Sequence, residues 1–276
     1  MKSSKALGAI AAAAFSVVGA RVASATVITN WSFTSTVAPD NSPAPSTGAG
    51  TAVSLGMTNS YTYGGSETTP TATNDDITSV TGAVSAVTQD TWRIRGTNNK
   101  KGQPGNGWNN SAPNYTQGAE FEVSTAGFDS VNVSFDWFST NQGVGNMQIL
   151  YTLDDTAATP VFTTLGSDYI AAAGDFYNDA ASEPNISVAI PAAAANDPNF
   201  AIEMVSVRPV ATDSNFLGAA DTNYAGASGG DYNNSSGNWS FNNISVTGTA
   251  IAVPEPASAS LLGLAGLAIL RRRRSR

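Results

Sequence analysis

The sequence predicts an all-β fold: a two-sheet antiparallel β-sandwich between residues 26 and 252, with an N-terminal signal helix and a short C-terminal apolar helix outside it. Three observations predict it. Apolar residues alternate with polar ones along several short segments, which is the period-two pattern of half-buried strands. Gly- and Asn-rich stretches separate these segments, notably 98–114 and 223–238. Outside the two terminal segments no stretch sustains a helical period, and the 227 residues of the body suit one large sandwich.

Taken in chain order, residues 1–25 have the three parts of a secretory signal. Lys2 and Lys5 give the positive start, Leu7 to Val18 the short apolar stretch, and Ala23-Ser24-Ala25 the small residues that signal peptidase requires. Cleavage is expected after Ala25. Residues 38–50, with Pro39, Pro43 and Pro45, read as a mobile loop. Trp92 and Ile94 alternate with Arg93 and Arg95; Ala119, Phe121 and Val123 alternate with Glu120 and Glu122. The clearest strand is Val131-Asn132-Val133-Ser134-Phe135-Asp136-Trp137, and Met147 to Leu153 repeats its pattern. Ala192 to Ala195 is bounded by Pro191 and Pro198, so at most one helical turn fits there. Phe200, Ile202 and Met204 mark a further strand. Trp239 and Phe241 share one phase while Ile244 and Val246 share the other, which predicts a β-bulge at Asn242-Asn243.

Residues 253–276 form a second address. Pro254-Glu255-Pro256 precedes a 14-residue apolar run, Ala257 to Leu270, and Arg271, Arg272, Arg273 and Arg274 follow at once. As a helix the run reaches about 21 Å, short of the roughly 30 Å hydrocarbon core. The arginines should stay cytoplasmic and leave the body outside. This tail resembles the PEP-CTERM sorting signal of exported proteins in exopolysaccharide-producing bacteria. The resemblance implies recognition and removal by an exosortase-type membrane protease, hence a transient membrane anchor followed by release to the cell surface or extracellular matrix. An ice-binding role would require Thr-x-Thr pairs at a fixed period, and the sequence holds only isolated cases at Thr69 to Thr73 and Thr247 to Thr249.

Segments of the body, Gly118-Ala119-Glu120-Phe121, Val133 to Trp137, Asn146 to Tyr151 and Trp239 to Ile244, resemble exported bacterial jelly-roll modules. That resemblance implies a jelly-roll-like fold and carries no active site.

Composition excludes much chemistry. The 276 residues contain no cysteine and no histidine, so disulfides, Cys/His zinc sites, thiol nucleophiles and Ser-His-Asp triads are absent. The formal charge is −8. Lys2, Lys5 and Arg21 lie in the leader, and the tail holds five arginines and Glu255. The body therefore keeps 20 acidic and 5 basic residues, a charge of −15. Nucleic acid is no partner for such a surface.

Four of the five basic residues, Arg93, Arg95, Lys100 and Lys101, fall within nine positions, and Trp108, Asn109, Asn110, Tyr115 and Gln117 follow. Cations beside exposed aromatic rings could bind an anionic polysaccharide by ion pairing and stacking. The bland alternative is a hairpin whose charges pair with carboxylates while Trp108 packs on the sheet. Glu120 and Glu122 should share one strand face about 6.5–7 Å apart. Laminarinase-like jelly-roll glycosidases carry Glu-x-Asp-x-x-Glu on such a strand. Here Glu122 stands where that pattern has Asp and Thr125 where it has its last Glu, so the pair reads as a solvated polar face rather than a catalytic one. No cofactor is required. A structural calcium could sit on Asp75 and Asp76, or on one of the looser sets: Asp154 with Asp155; Asp168, Asp175 and Asp179; Asp221 with Asp231. The sequence thus points to an exported, non-enzymatic surface or matrix protein with a structural or adhesive role linked to exopolysaccharide. A carbohydrate-binding module over 93–117 is the alternative, and a glycan-active enzyme is less favoured.

Overall fold

A computed structural model describes residues 24–34, 42–56, 76–82, 88–94, 108, 110, 112–177, 186–219, 222–232 and 237–252. Among the described residues twelve strands, all paired antiparallel, make two sheets: β1 (Ala25–Trp31), β2 (Thr51–Leu55), β3 (Asp76–Thr81), β4 (Thr88–Ile94), β5 (Gly118–Glu122), β6 (Phe128–Ser139), β7 (Asn146–Thr152), β8 (Thr163–Ile170), β9 (Asp175–Phe176), β10 (Ile186–Ala189), β11 (Ala201–Ser206) and β12 (Trp239–Ala250). The seven-stranded sheet runs β10-β6-β12-β4-β3, with β1 also on β12 and β9 on β6; the five-stranded sheet runs β2-β5-β11-β7-β8. One 3-10 turn, Ala192–Ala194, is the sole helical element among the described residues, as the flanking prolines dictate. No described helix is long and apolar enough to cross a membrane. Residues 1–23 and 253–276 lie outside the described residues, and with them both expected terminal helices, Ala23, Pro254, Glu255, Pro256 and Arg271 to Arg274.

The alternation read from the sequence sets which side of each strand is buried. Val131, Val133, Phe135 and Trp137 of β6 face Ala119 and Phe121 of β5 and Ile202 and Met204 of β11 in a single core. Rings bridge the sheets: Phe121 meets Trp31 at 5.2 Å, Trp92 at 5.8 Å and Phe241 at 6.4 Å. Each such buried ring contributes on the order of 1.5–3 kcal/mol. The phase change in β12 is a bulge between Asn242 and Ser245. Asn243 takes φ 50° there, a conformation asparagine tolerates, and its Nδ2 donates to Asp136 Oδ2 at 2.7 Å.

One expectation needs correction. The described part of the 38–50 segment, residues 42–50, is fastened rather than loose. Asn30 N donates to the Thr47 carbonyl, Trp31 Nε1 to the Pro43 carbonyl and Thr29 Oγ1 to the Ala49 carbonyl. Prolines here fix the path of a strap over β1.

The sandwich has two distinct ends. Ala25 of β1 pairs with Thr249 of β12, so the chain enters and leaves the domain side by side. At the far end of β12, Trp239 packs on Trp108 at 4.4 Å and Trp137 at 5.1 Å. Twelve residues of β12 separate these ends by about 36 Å at roughly 3.3 Å per residue.

Candidate functional site

Two groups of polar side chains stand out, one on the outer face of the five-stranded sheet and one at the loop end. The first follows from strand periodicity. With Ala119 and Phe121 turned into the core, Glu120 and Glu122 must face outward. In the β5–β11 ladder Glu120 stands directly opposite Glu203, and in the β11–β7 ladder Glu203 stands opposite Leu150. On the other side Glu120 faces Val53 of β2. The two carboxyls therefore occupy the middle of a sheet, between apolar neighbours. They are 9% and 7% exposed and are hydrogen-bonded to each other.

This overturns the reading of Glu120 as a solvated surface group. Burial, then the charges of Asp155 and Glu122, push its carboxyl up to about 7. Burial, then Glu120, push Glu203 up to about 8. Asp155, on the segment after β7, is held over the sheet by its backbone N–H to the Asn199 carbonyl at 3.0 Å. Burial and the neighbouring Asp154 raise its carboxyl as well, and it is hydrogen-bonded to Glu122. Oxygens of Glu120, Glu122 and Asp155 lie within 4.8 Å of one another. The contacts are carboxyl to carboxyl, which is proton-sharing geometry, and close spacing alone does not build an oxygen cage around a cation. A cavity of about 230 Å³ opens beside Glu122 and Asp155, walled by Gly50, Pro198 and Phe200.

The second group is built around Arg208. Its Nη1 donates to Asn114 Oδ1 at 3.1 Å, and its Nη2 donates to the carbonyls of Asn110 at 3.1 Å and Ala112 at 2.8 Å. The guanidinium carbon lies 4.6 Å from the Tyr224 ring centroid. The Tyr224 hydroxyl donates to the Pro113 carbonyl at 2.8 Å, and its backbone N–H donates to Asn110 Oδ1 at 2.9 Å. The segment 110–114 is thereby pinned, and it presents Tyr115. That residue is 38% exposed and adopts φ 67°, a left-handed backbone that costs a tyrosine about 1–2 kcal/mol.

Among the described residues, the basic and aromatic side chains singled out in the sequence do not form one patch. Trp108 is 1% exposed, wedged against Trp239, and offers no open face to a sugar ring; Gln117 is buried too. Arg93 is half-buried opposite Ser240, on the face of β4 away from Trp92 and Ile94, whereas Trp108 contributes to the core on the other side. Arg95, Lys100 and Lys101 lie outside the described residues. Tyr115 alone of the set is described and exposed.

The calcium candidates separate similarly. Asp75 lies outside the described residues. Asp76 opens β3 with the cationic residue Arg93 as its register partner. Asp154 Oδ1 accepts from Thr156 Oγ1, and Asp155 belongs to the glutamate cluster. Asp168 accepts from Asn146 Nδ2 at 2.7 Å and neighbours Asp213, while Asp175 Oδ1 accepts from the Phe176 N–H. Asp179 and Asp221 are outside the described residues.

Sequence reasoning missed Glu203 and Arg208. Glu203 is the outward residue between Ile202 and Met204, and the strand pattern shows its direction but not that β11 lies beside β5. Arg208 was the one cation away from the 93–101 group, and nothing in its neighbourhood marks it as the organiser of residues nearly a hundred positions earlier.

No family model, curated protein or solved structure matches the chain.

Proposed function

We propose that the protein is an exported, jelly-roll-like β-sandwich of the cell surface or extracellular matrix, structural or adhesive in role and associated with exopolysaccharide. The observation that supports this best is the β1–β12 pairing. It sets the first and last described strands side by side at one end of the body, where a signal segment before β1 and a PEP-CTERM-like tail after β12 would join it, with the pinned 110–114 loop toward the far end of the roughly 36 Å long β12. A body held at the membrane by its tail then projects that loop outward, and signal peptidase and an exosortase-type protease act on two neighbouring ends. Cleavage after Ala25 would leave Thr26 to Trp31 of β1 intact. Fractionation of the producing bacterium, followed by mass spectrometry of both termini, tests the reading. The expected product begins at Thr26, lacks the segment after about Val253, and co-extracts with exopolysaccharide. A full-length cytoplasmic product would sink it.

One observation favours a carbohydrate-binding second reading. Tyr115 keeps an exposed ring on a strained backbone that Arg208 and Tyr224 hold rigid, and a rigid ring loses little entropy when a sugar stacks on it. Affinity gel electrophoresis against acidic and neutral polysaccharides should show retardation that Tyr115→Gly abolishes. The same substitution should leave the melting temperature unchanged or higher, because glycine relieves the left-handed strain. Retardation that persists in this variant would remove Tyr115 from the reading.

A further inference from the structure

We propose that Glu120 and Glu203 form a proton-held latch on the outer face of the five-stranded sheet, closed when they share a proton and loosened when it is lost. Two carboxylates cannot hydrogen-bond to each other without a proton between them. Here β5 and β11 place them directly opposite, nine-tenths buried, between Val53 and Leu150. Neither flanking residue can donate a hydrogen bond from its side chain or supply a charge.

The groups facing the pair are all acidic or neutral. From β5 comes Glu122, and from the segment after β7 come Asp155 and, beyond it, Asp154. β2 and β7 contribute no ionisable side chain on this face, since Val53 and Leu150 are the residues in register. Asp197, on the approach to β11, is turned to its own backbone, where its Oδ1 accepts from the Asn199 N–H. The two described cations lie elsewhere, Arg93 on the other sheet and Arg208 beyond the end of β11, where its guanidinium donates to the 110–114 loop. Loss of the shared proton therefore leaves adjacent buried negative charges with no described cation beside them.

The connection between β7 and β8 carries Asp155 over the pair. It is tied there by the Asp155 N–H bond to the Asn199 carbonyl and by the Asp155 carboxyl hydrogen-bonded to Glu122. The folded state holds the Glu120 and Glu203 protons more tightly than free carboxyls do. Stability from the pair is thus complete below about pH 4.5 and is lost as pH rises through about 7 and about 8. Nothing in this chemistry involves the export segments, so the latch stands or falls separately from the proposed function.

Hydrogen exchange of the full chain, read by mass spectrometry between about pH 5 and about pH 8.5 and corrected for intrinsic rates, tests it. Opening at Asp155 and along β5 and β11 should increase within that window by up to about tenfold per pH unit for each of the two protons released. Glu203→Gln should flatten the dependence, because an amide donates to Glu120 at any pH. Glu120→Gln is the reciprocal variant, usable if the first does not fold. Protection that does not change with pH, or that changes as steeply in the glutamine variants as in the unsubstituted protein, would overturn the latch. So would loss of protection on adding a chelator at constant pH, since a cation and not a proton would then hold the pair.

Discussion

Replacing Arg208 by methionine tests whether one side chain organises the loop end. Methionine keeps the apolar stem and removes three donated hydrogen bonds, to Asn114 Oδ1 and to the carbonyls of Asn110 and Ala112, together with the contact to the Tyr224 ring. Hydrogen bonds from a charged donor contribute about 1.5–3 kcal/mol each, which bounds the loss from above. Two effects reduce it. The guanidinium no longer has to be desolvated, and the freed acceptors are part-buried, so water recovers some of them. About 3 kcal/mol remains, with the cation–π contact adding roughly 0.5–1 kcal/mol. For a body of this size, about 2–4 °C per kcal/mol, the melting temperature should fall by roughly 7–16 °C in calorimetry. Arg208→Lys should recover less than half of that, because a point-like ammonium cannot reach acceptors on three residues as a planar fork does. A fall below about 2 °C for the methionine variant, or full recovery by lysine, would refute the organising role.

Other outcomes can be checked alongside. Trp239→Ala, at a fully buried ring between Trp108 and Trp137, should cost about 3–5 kcal/mol in urea unfolding. Trp239→Phe should cost far less, about 1–2 kcal/mol, because the Val144 carbonyl that loses the indole N–H keeps the Ser139 hydroxyl at 3.1 Å. Gly56 has φ 61° and an added Cβ would sit 2.0 Å from the Thr116 carbonyl oxygen, whereas Gly127 at φ 84° has open space. Thermal unfolding should therefore show Gly56→Ala losing several times more than the roughly 1 kcal/mol expected for Gly127→Ala.

The fold class was legible because alternation is a local property. Val131 to Trp137, Ala119 to Val123 and the phase change at Asn242-Asn243 each declare a strand or a bulge within a few residues, and each stands where the sequence put it. Weakly patterned strands such as β8, whose ThrThrLeuGlySerAspTyrIle run bends at Gly166, carried no such signal. The candidate site was less legible, for two physical reasons. Alternation says that Glu120 faces away from the core, but burial on that outer face depends on Leu150, Val53 and Asp155, which arrive from other strands and loops. Proximity in sequence also does not fix which face a side chain takes. A strand turns Arg93 to the face opposite the core, while the following segment returns Trp108 into the core.

Much of the described polar structure is made with amides. Asn110 joins Asn223 and Tyr224, Asn114 receives Arg208, and Asn146 links Asp168 and Asn215. Asn242 meets Gln89, and Asn196 receives the Gly127 N–H. Amide hydrogen bonds do not titrate between pH 4 and 9 and are little screened by salt, which suits a body of charge −15 that has few cations with which to pair carboxylates. Against this background the raised carboxyls, the Glu120–Glu203 pair foremost, are the described elements whose strength varies with pH. Melting temperatures should therefore shift far more between about pH 5 and about pH 8.5 than between low and high salt at either pH. A salt dependence as large as the pH dependence would mean that repulsion among the body's surface carboxylates, not the buried acid pair, dominates the electrostatics of this sandwich.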